Sequence, residues 1–462
     1  MKHLRISQGF GLVALGAILG CNVGPNYERP QVASPENFRG AAAPTEESLA
    51  DTKWSVLLPD PALQQLIQSA LEHNYDLALA ANRVLQAEAE LGITDADKFP
   101  QIGVSGLGGA QRTRQVSGTP QTLAVYQLQA NLAWEIDFWG KFRRASEAAR
   151  ANLLGSEWGR RAVTTSLVSS VATSYFRLRA LDRQLEIAQR TLTSRQESLR
   201  LTQVRDQGGA GSLADVRQAE QLVEGANATI VALSASIQQQ ENAISILLGR
   251  FPGPVARGEA LEARQLRLDV PAGLPSSLLE RRPDIQQAEQ ALVAANAGIG
   301  VAKASYFPQI SLTASGGVAS AALSTLLSGP AVVWNLFGGL TQPIFDGGRI
   351  RSQVTRAELG REQAKIEYQR SIQQAFREVA DALVGYQSGR QAREIQERLV
   401  RSATDARRLA DIRYQGGSSS YLEVLDSDTR LFEAELGLVN AELSERSAFV
   451  EIYRALGGGW QS

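Results

Sequence analysis

The sequence predicts a mainly α-helical chain with a smaller β part, built from two copies of one structural unit offset by 208 residues. Phe99-Pro100-Gln101-Ile102 returns as Phe307-Pro308-Gln309-Ile310. Two long stretches without proline leave room for very long helices, and between the helical stretches the hydropathy period changes to two.

The N-terminus comes first. Met1-Lys2-His3-Leu4-Arg5 is basic, Phe10 to Gly20 is rich in Gly, Ala, Leu and Ile, and Cys21 follows. A basic start and a short apolar core ending in small residues describe a secretory signal peptide over 1–20. That core is too short to span a bilayer. Ile18-Leu19-Gly20-Cys21 reads as a lipobox, so Cys21 is expected to be the acylated first residue of the mature chain, with palmitate-type lipid and no free thiol. Asn22 in place of aspartate after it points to the outer membrane. Residues 21–75 then form a lipidated N-terminal and equatorial segment.

The first repeat is expected at 76–249 and the second at 284–457, with an equatorial linker at 250–283 and a tail at 458–462. One ungapped offset carries Asp76 onto Asp284, Gly92 onto Gly300, Gly140 onto Gly348 and Gln207-Gly208-Gly209 onto Gln415-Gly416-Gly417. None of the 16 prolines falls in 121–251 or in 344–462. Proline costs about 3 kcal/mol inside a helix, so 141–207 and 349–415 can each be one helix, roughly 100 Å long at 1.5 Å per residue. Gly208, Gly209 and Gly211, and Gly416 and Gly417, then turn the chain into returning helices over 212–248 and 420–456. Those helices carry heptads of coiled-coil type. The second has another apolar stripe through Val424, Leu431, Ala434 and Leu438, which suits a neighbour on each side.

Each repeat also offers one β-hairpin, about 102–136 and 310–344. Tyr126, Leu128, Ala130, Leu132 and Trp134 alternate with Gln127, Gln129, Asn131, Ala133 and Glu135. Segments of about ten residues with this alternation are the signature of a transmembrane barrel. Four strands cannot close a barrel, and an open edge cannot sit in lipid, so closure has to come from oligomerisation.

Composition excludes much else. The 47 basic and 48 acidic residues give a net charge of −1, or −3 after loss of Lys2 and Arg5, without a basic patch for nucleic acid. One Cys, two His and one Met cannot build a zinc, haem or iron–sulfur site. A nucleophilic triad would rest on His73 alone, at a polar helix end. No enzyme, metal or cofactor is expected beyond the lipid on Cys21.

The chain resembles the TolC/OprM-type outer-membrane factors of tripartite efflux pumps, in particular the lipoproteins serving resistance–nodulation–division (RND) transporters. The resemblance is carried by Cys21-Asn22-Val23-Gly24-Pro25-Asn26-Tyr27, Trp134-Glu135-Ile136-Asp137-Phe138-Trp139-Gly140, Glu280-Arg281-Arg282-Pro283-Asp284-Ile285, and Tyr421-Leu422-Glu423-Val424-Leu425-Asp426. The C-terminal Tyr453-Arg454-Ala455-Leu456-Gly457-Gly458-Gly459-Trp460 adds to it.

The resemblance implies a homotrimer: a twelve-stranded outer-membrane barrel, a twelve-helix periplasmic tunnel and a mixed equatorial belt. Its implied partners are a periplasmic adaptor, an inner-membrane transporter of the RND class and outer-membrane lipid. The implied function is passive conduction of drugs or other small solutes, a route to antibiotic resistance. A type I protein-secretion conduit and a non-conducting coiled-coil envelope lipoprotein are the alternatives. The resemblance also places a periplasmic gate at Leu422, Glu423 and Asp426, with Asp215 nearby. Threefold symmetry would make Leu422 an apolar collar and Asp426 a ring of carboxylates whose repulsion raises their proton affinity. Ser419 stands where the TolC branch has an arginine, so a salt-bridged latch is not expected there. The glycine turns are expected to dock the adaptor at the tunnel end far from the barrel.

Overall fold

The computed structural model describes residues 22–32, 35, 37–40, 48–113, 121–258, 272–273 and 275–460. Cys21 and the signal segment lie outside the described residues. The helices are α1 (Trp54–Leu57), α2 (Pro61–His73), α3 (Tyr75–Ala96), α4 (Lys141–Gln207), α5 (Leu213–Leu247), α6 (Pro275–Arg281), α7 (Pro283–Ala304), α8 (Arg349–Gln415) and α9 (Tyr421–Ala455). The strands are β1 (Gln101–Thr113), β2 (Gln121–Glu135), β3 (Gln309–Ser320) and β4 (Val332–Thr341). Adding 208 to both ends of α3, α4 and α5 gives the ends of α7, α8 and α9.

The chain divides into two compact units that cut across the repeats. The first holds Met1–Gln31, Arg83–Glu157 and Gln287–Gln369; the second holds Val32–Asn82, Trp158–Gln286 and Arg370–Ser462.

In the first unit the four strands form one antiparallel sheet in the order β1-β2-β3-β4. Opposed pairs such as Ile102↔Leu132, Leu132↔Ala314 and Ala314↔Leu336 keep all even-numbered positions on one face. That face is apolar: Ile102, Val104, Leu128, Leu132, Trp134, Ile310, Leu312, Val318, Trp334, Leu336 and Leu340. The odd face carries Ser105, Gln127, Gln129, Asn131, Thr313, Ser315 and Asn335. There Asn131 donates to Ser105 at 2.8 Å and Asn335 to Ser315 at 2.6 Å. The second hairpin is shorter than its alternation suggests, because two 3-10 turns (Leu323–Thr325 and Gly329–Ala331) occupy its loop.

Aromatic residues gather where strands meet helices. Trp139 stacks on Phe307 at 4.6 Å and donates to the Pro308 carbonyl, and Phe138 meets Trp139 edge-on. Asp137 then caps α4 by accepting from the amides of Phe142 and Arg143.

The segment 22–29 is strapped onto this unit. Arg144 donates to the carbonyls of Val23 and Gly24 and to the Asn26 side chain, and Asn296 donates to the Pro25 carbonyl. Arg29 forks onto Glu289 at 2.7 and 2.5 Å, with the Tyr27 hydroxyl donating to the same carboxylate. Gly24 has φ +103°, and a Cβ there would lie 2.5 Å from the Gly300 Cα. These contacts bring Gly24, Tyr27, Arg29 and Glu289, far apart in sequence, into one place.

The second unit packs α2, α4 and α5 around Leu63, Ile67, Val171, Tyr175, Leu178 and Ile244. Each is fully buried, which at about 1.5–3 kcal/mol per large side chain supplies most of the local stability. Pro61 opens α2 and Asp60 caps it, its other oxygen accepting from the Tyr175 hydroxyl at 2.8 Å. Burial, together with Asp60, pushes that hydroxyl's pKa up to about 12.

The Arg-Arg-Pro-Asp motif is also structural. Arg282 is buried, forks onto Asp284, and reaches Glu378 on α8 at 2.9 Å and the Ala455 carbonyl ending α9 at 3.0 Å. Burial raises the proton affinity of Glu378, but the charge and hydrogen bond of Arg282, helped by Gln374 and Arg454, hold its pKa below the ordinary glutamate value. With the folded value below the unfolded one (about 4.3), this stabilisation is complete above the unfolded value and disappears as pH falls through the folded one. Thermal unfolding of Glu378→Gln across the acid range should therefore show a lower melting point at neutral pH. The difference from the parent should shrink as pH falls below the ordinary glutamate value.

Candidate functional site

The two glycine turns lie side by side in the second unit, and each is a Schellman cap. In the first, Ala210 donates its amide to the Arg205 carbonyl at 2.8 Å and Gly209 to Asp206 at 3.0 Å. In the second, Ser418 donates to Arg413 at 2.9 Å and Gly417 to Tyr414 at 3.1 Å. Gly209 and Gly417 both have φ +73°, the left-handed conformation this cap demands. Gly211 is needed for space, since a Cβ would sit 2.8 Å from the Asp206 amide. Gly208 and Gly416 have negative φ, and a Cβ there comes no nearer than 3.4 and 3.3 Å to the nearest carbonyl. Arg205 joins the turns by lying 4.5 Å over the Tyr414 ring and donating to the Tyr414 carbonyl.

Leu422, Glu423 and Asp426 all fall in the first two turns of α9. Leu422 is 59% exposed, whereas Val439, Val450 and Tyr453 further along the same heptad stripe are buried within one chain. Val424 and Ala434 of the second stripe are buried too. Each acid has an arginine beside it: Glu423 meets Arg413 at 2.9 Å and Asp426 meets Arg430 at 2.7 Å. Both pairs are solvent-exposed and add little stability, but they set the local charge. Ala403, Ala406 and Ala410 on α8 face Glu423, Asp426 and Arg430 across a groove of about 560 Å³. Asp215, in the first turn of α5, lies near enough to Tyr414 to raise the proton affinity of its hydroxyl, behind the larger effect of burial.

Beneath these residues is a joint that sequence reasoning missed. Arg195 on α4 donates to Asp428 on α9 at 2.8 Å and to the Leu222 carbonyl on α5 at 3.1 Å. Arg407 on α8 reaches the other Asp428 oxygen at 3.2 Å and also pairs with Asp411. One buried carboxylate thus ties four helices together. Tyr421 packs beside it, its hydroxyl 3.0 Å from Ser198 and its ring 5.4 Å from Tyr414. A signal was present: Asp428 interrupts the apolar stripe between Val424 and Leu431, a place where a charge survives only with a partner.

With this geometry established, comparison identifies the class. The family model for outer membrane efflux proteins matches residues 66–250 and 274–458. The chain belongs to that family: it is an outer-membrane channel of an efflux system and not an enzyme. It is 35% identical to the cation efflux system protein CusC of Escherichia coli O6:H1, over 96% of this chain and 97% of that one. It is 37% identical to the antibiotic efflux pump outer membrane protein ArpC of Pseudomonas putida, over 96% and 93%. The open state of the Neisseria gonorrhoeae MtrE outer membrane channel superposes with a TM-score of 0.88 at 32% identity, over 95% and 99%.

Two stability predictions follow from the caps and the joint. Asp428→Asn leaves buried Arg195 without its counter-charge and Arg407 with Asp411 alone, and should destabilise the protein by about 3–5 kcal/mol. Gly417→Ala should cost about 1–2 kcal/mol through the left-handed conformation alone. Thermal or denaturant unfolding of the purified variants measures both.

Proposed function

We propose that three copies of this chain close a twelve-stranded barrel and a twelve-helix periplasmic tunnel. Through it they conduct small organic solutes delivered by an inner-membrane transporter of the RND class and a periplasmic adaptor. The observation that carries this reading is the open sheet: one face is apolar, and β1 and β4 are edge strands. Unpaired backbone groups at such edges are too costly in hydrocarbon, and further copies of the same sheet are what can pair them. Drug-like cargo is favoured over soft metal ions because the mature sequence holds one histidine, no methionine and only the lipidated cysteine. Among the relatives, ArpC is named for antibiotics and CusC for cations.

Acylation of Cys21 belongs to the same reading. Asn22, next to it in sequence, seats against Gly140 at the junction of β2 and α4. Mass spectrometry of the mature N-terminus should show a lipid-modified Cys21, and Cys21→Ser should alter processing. An unmodified thiol would end the idea.

The gate reading assigns Leu422 to a collar and Asp426, with Arg430 attached, to a charged ring. Because each Asp426 has an arginine partner, the ring's cation preference is a difference between two charges. In bilayer recordings Asp426→Ala should weaken cation preference, Arg430→Ala should strengthen it, and Leu422→Ala should raise conductance. No change in any of the three would place the gate elsewhere.

The glycine turns are read as adaptor-docking tips. Gly208→Trp and Gly416→Trp leave the positive-φ positions untouched, so both variants should assemble yet lose pump-dependent drug efflux. Normal efflux would remove docking from these turns.

A further inference from the structure

Alternation along the four strands sorts the aromatic residues as it sorts the polar ones, with one departure. Tyr126, Trp134 and Trp334 stand at even positions, on the apolar face. Phe337 stands at an odd position, among the amides and hydroxyls of the polar face. Its neighbours two residues away along β4 are Asn335 and Gly339. Thr313 on β3 is directly opposite, with Ser311 and Ser315 on the diagonals. None of these carries an apolar side chain large enough to cover an aromatic ring, and Phe337 is 65% exposed. At Gly339 a larger residue has no room, since a Cβ there would lie 2.8 Å from the Ser311 Oγ.

Charge is missing from the same face. Among the described strand residues its one ionisable side chain is Glu135, at the end of β2 and paired with Lys141 at 3.0 Å. Leu107, Leu123, Val125 and Val333 are its other large apolar side chains, and none of them has a π face.

We propose that Phe337 is the point at which the flat face of an aromatic solute touches the channel wall in transit. This rests on the multi-copy barrel above and names a contact made by its cargo. In that barrel the apolar even face meets lipid, so the odd face lines the lumen. Pairing of β4 with a further copy lies in the plane of the sheet, whereas the ring stands off that plane. Such pairing therefore leaves the ring on the lumen side. Opposed pairs place Phe337 in one row with Thr313, Ala133 and Gln101. Threefold repetition sets three such rings at one height.

The chemistry of this wall favours an aromatic solute over other cargo. A face without free charge has nothing with which to hold cations or anions, and water already satisfies its amides and hydroxyls. A bare ring offers an offset or edge-on stack to another aromatic ring, a gain beyond the area the two bury. The contact is weak, which suits a conduit, because a solute has to be held loosely enough to leave.

Thiol chemistry on the wall tests the contact without depending on the far end of the tunnel. Cys21 is the sole native cysteine, and the parent chain gives the background rate. Asn335→Cys puts a thiol on the odd face two residues from Phe337, and Leu336→Cys puts one on the even face. In the full-length protein in its membrane, a charged, membrane-impermeant methanethiosulfonate should modify Asn335→Cys and spare Leu336→Cys. Benzyl and cyclohexylmethyl methanethiosulfonates, similar in bulk, then measure aromatic preference. The ratio of their rates at Asn335→Cys should be roughly three- to tenfold higher with Phe337 present than in Asn335→Cys/Phe337→Ser. Phe337→Tyr should keep the ratio, and Phe337→Leu, which retains apolar bulk, should lose it. An equal ratio with Phe337 and with Phe337→Ser overturns the aromatic contact while leaving the lumen standing. If Phe337→Ser does not assemble, an unchanged ratio in Phe337→Leu overturns it in the same way. If the impermeant reagent does not reach Asn335→Cys, the odd face lines no aqueous lumen, and the contact falls together with the barrel on which it rests.

Discussion

A backbone edge cannot be left unpaired in hydrocarbon, and this constraint organises the β part of the molecule. Each amide and carbonyl along β1 and β4 needs a partner where water cannot supply one. The sheet has four strands, an apolar even face and an odd face rich in Ser, Thr, Asn and Gln. Such a sheet is complete only as part of a larger closed one. The strap formed by residues 22–29, the aromatic cluster at Trp139 and the caps at Asp137 and Asp346 all secure the places where strands pass into helices.

In the helical unit the corresponding demand falls on buried charge. Asp428 is buried among helices that otherwise meet through alanine, valine and tyrosine, and it is tolerated because two guanidiniums surround it. Such a cluster is weak evidence for stability, since desolvation offsets much of the attraction. Its value is in alignment: a carboxylate accepting from α4 and α8, with Arg195 also holding the α5 backbone, permits few other arrangements of these helices. The repeat does not duplicate it. Arg195, Arg407 and Asp428 correspond to Ala403, Leu199 and Glu220, so the joint occurs once per chain and distinguishes one helix interface from its counterpart.

Much of the architecture was legible because its signals are local or periodic. Proline placement bounded α4 and α8, and glycine pairs marked their caps, because helix continuity and positive φ depend on a residue and its near neighbours. The 208-residue offset extended from motifs to strand register because the two copies have kept equal lengths between their ends. Less legible were the roles of familiar motifs. Arg282 reads as a family marker, yet it is, like Arg29 and Glu289, an ion-pair or hydrogen-bond partner between segments far apart in sequence. Leu422, expected as part of a collar at the gate, is exposed in the single chain.

The sequence by itself determined the two-copy plan, the long helices with the glycine turns between them, and the alternation of the strands. Each of these follows from backbone preference and hydropathy over short windows. Only the tertiary structure decided which charges meet. Asp426 carries Arg430 and Glu423 carries Arg413, while Asp428, two residues beyond Asp426, is the one buried between Arg195 and Arg407. Periodicity puts Asp426 and Asp428 on opposite faces of α9, since two residues turn a helix by about 200°, but it does not name the partner each one meets. Which of them is desolvated depends on the neighbouring helices, and their positions follow from the packing of the whole unit.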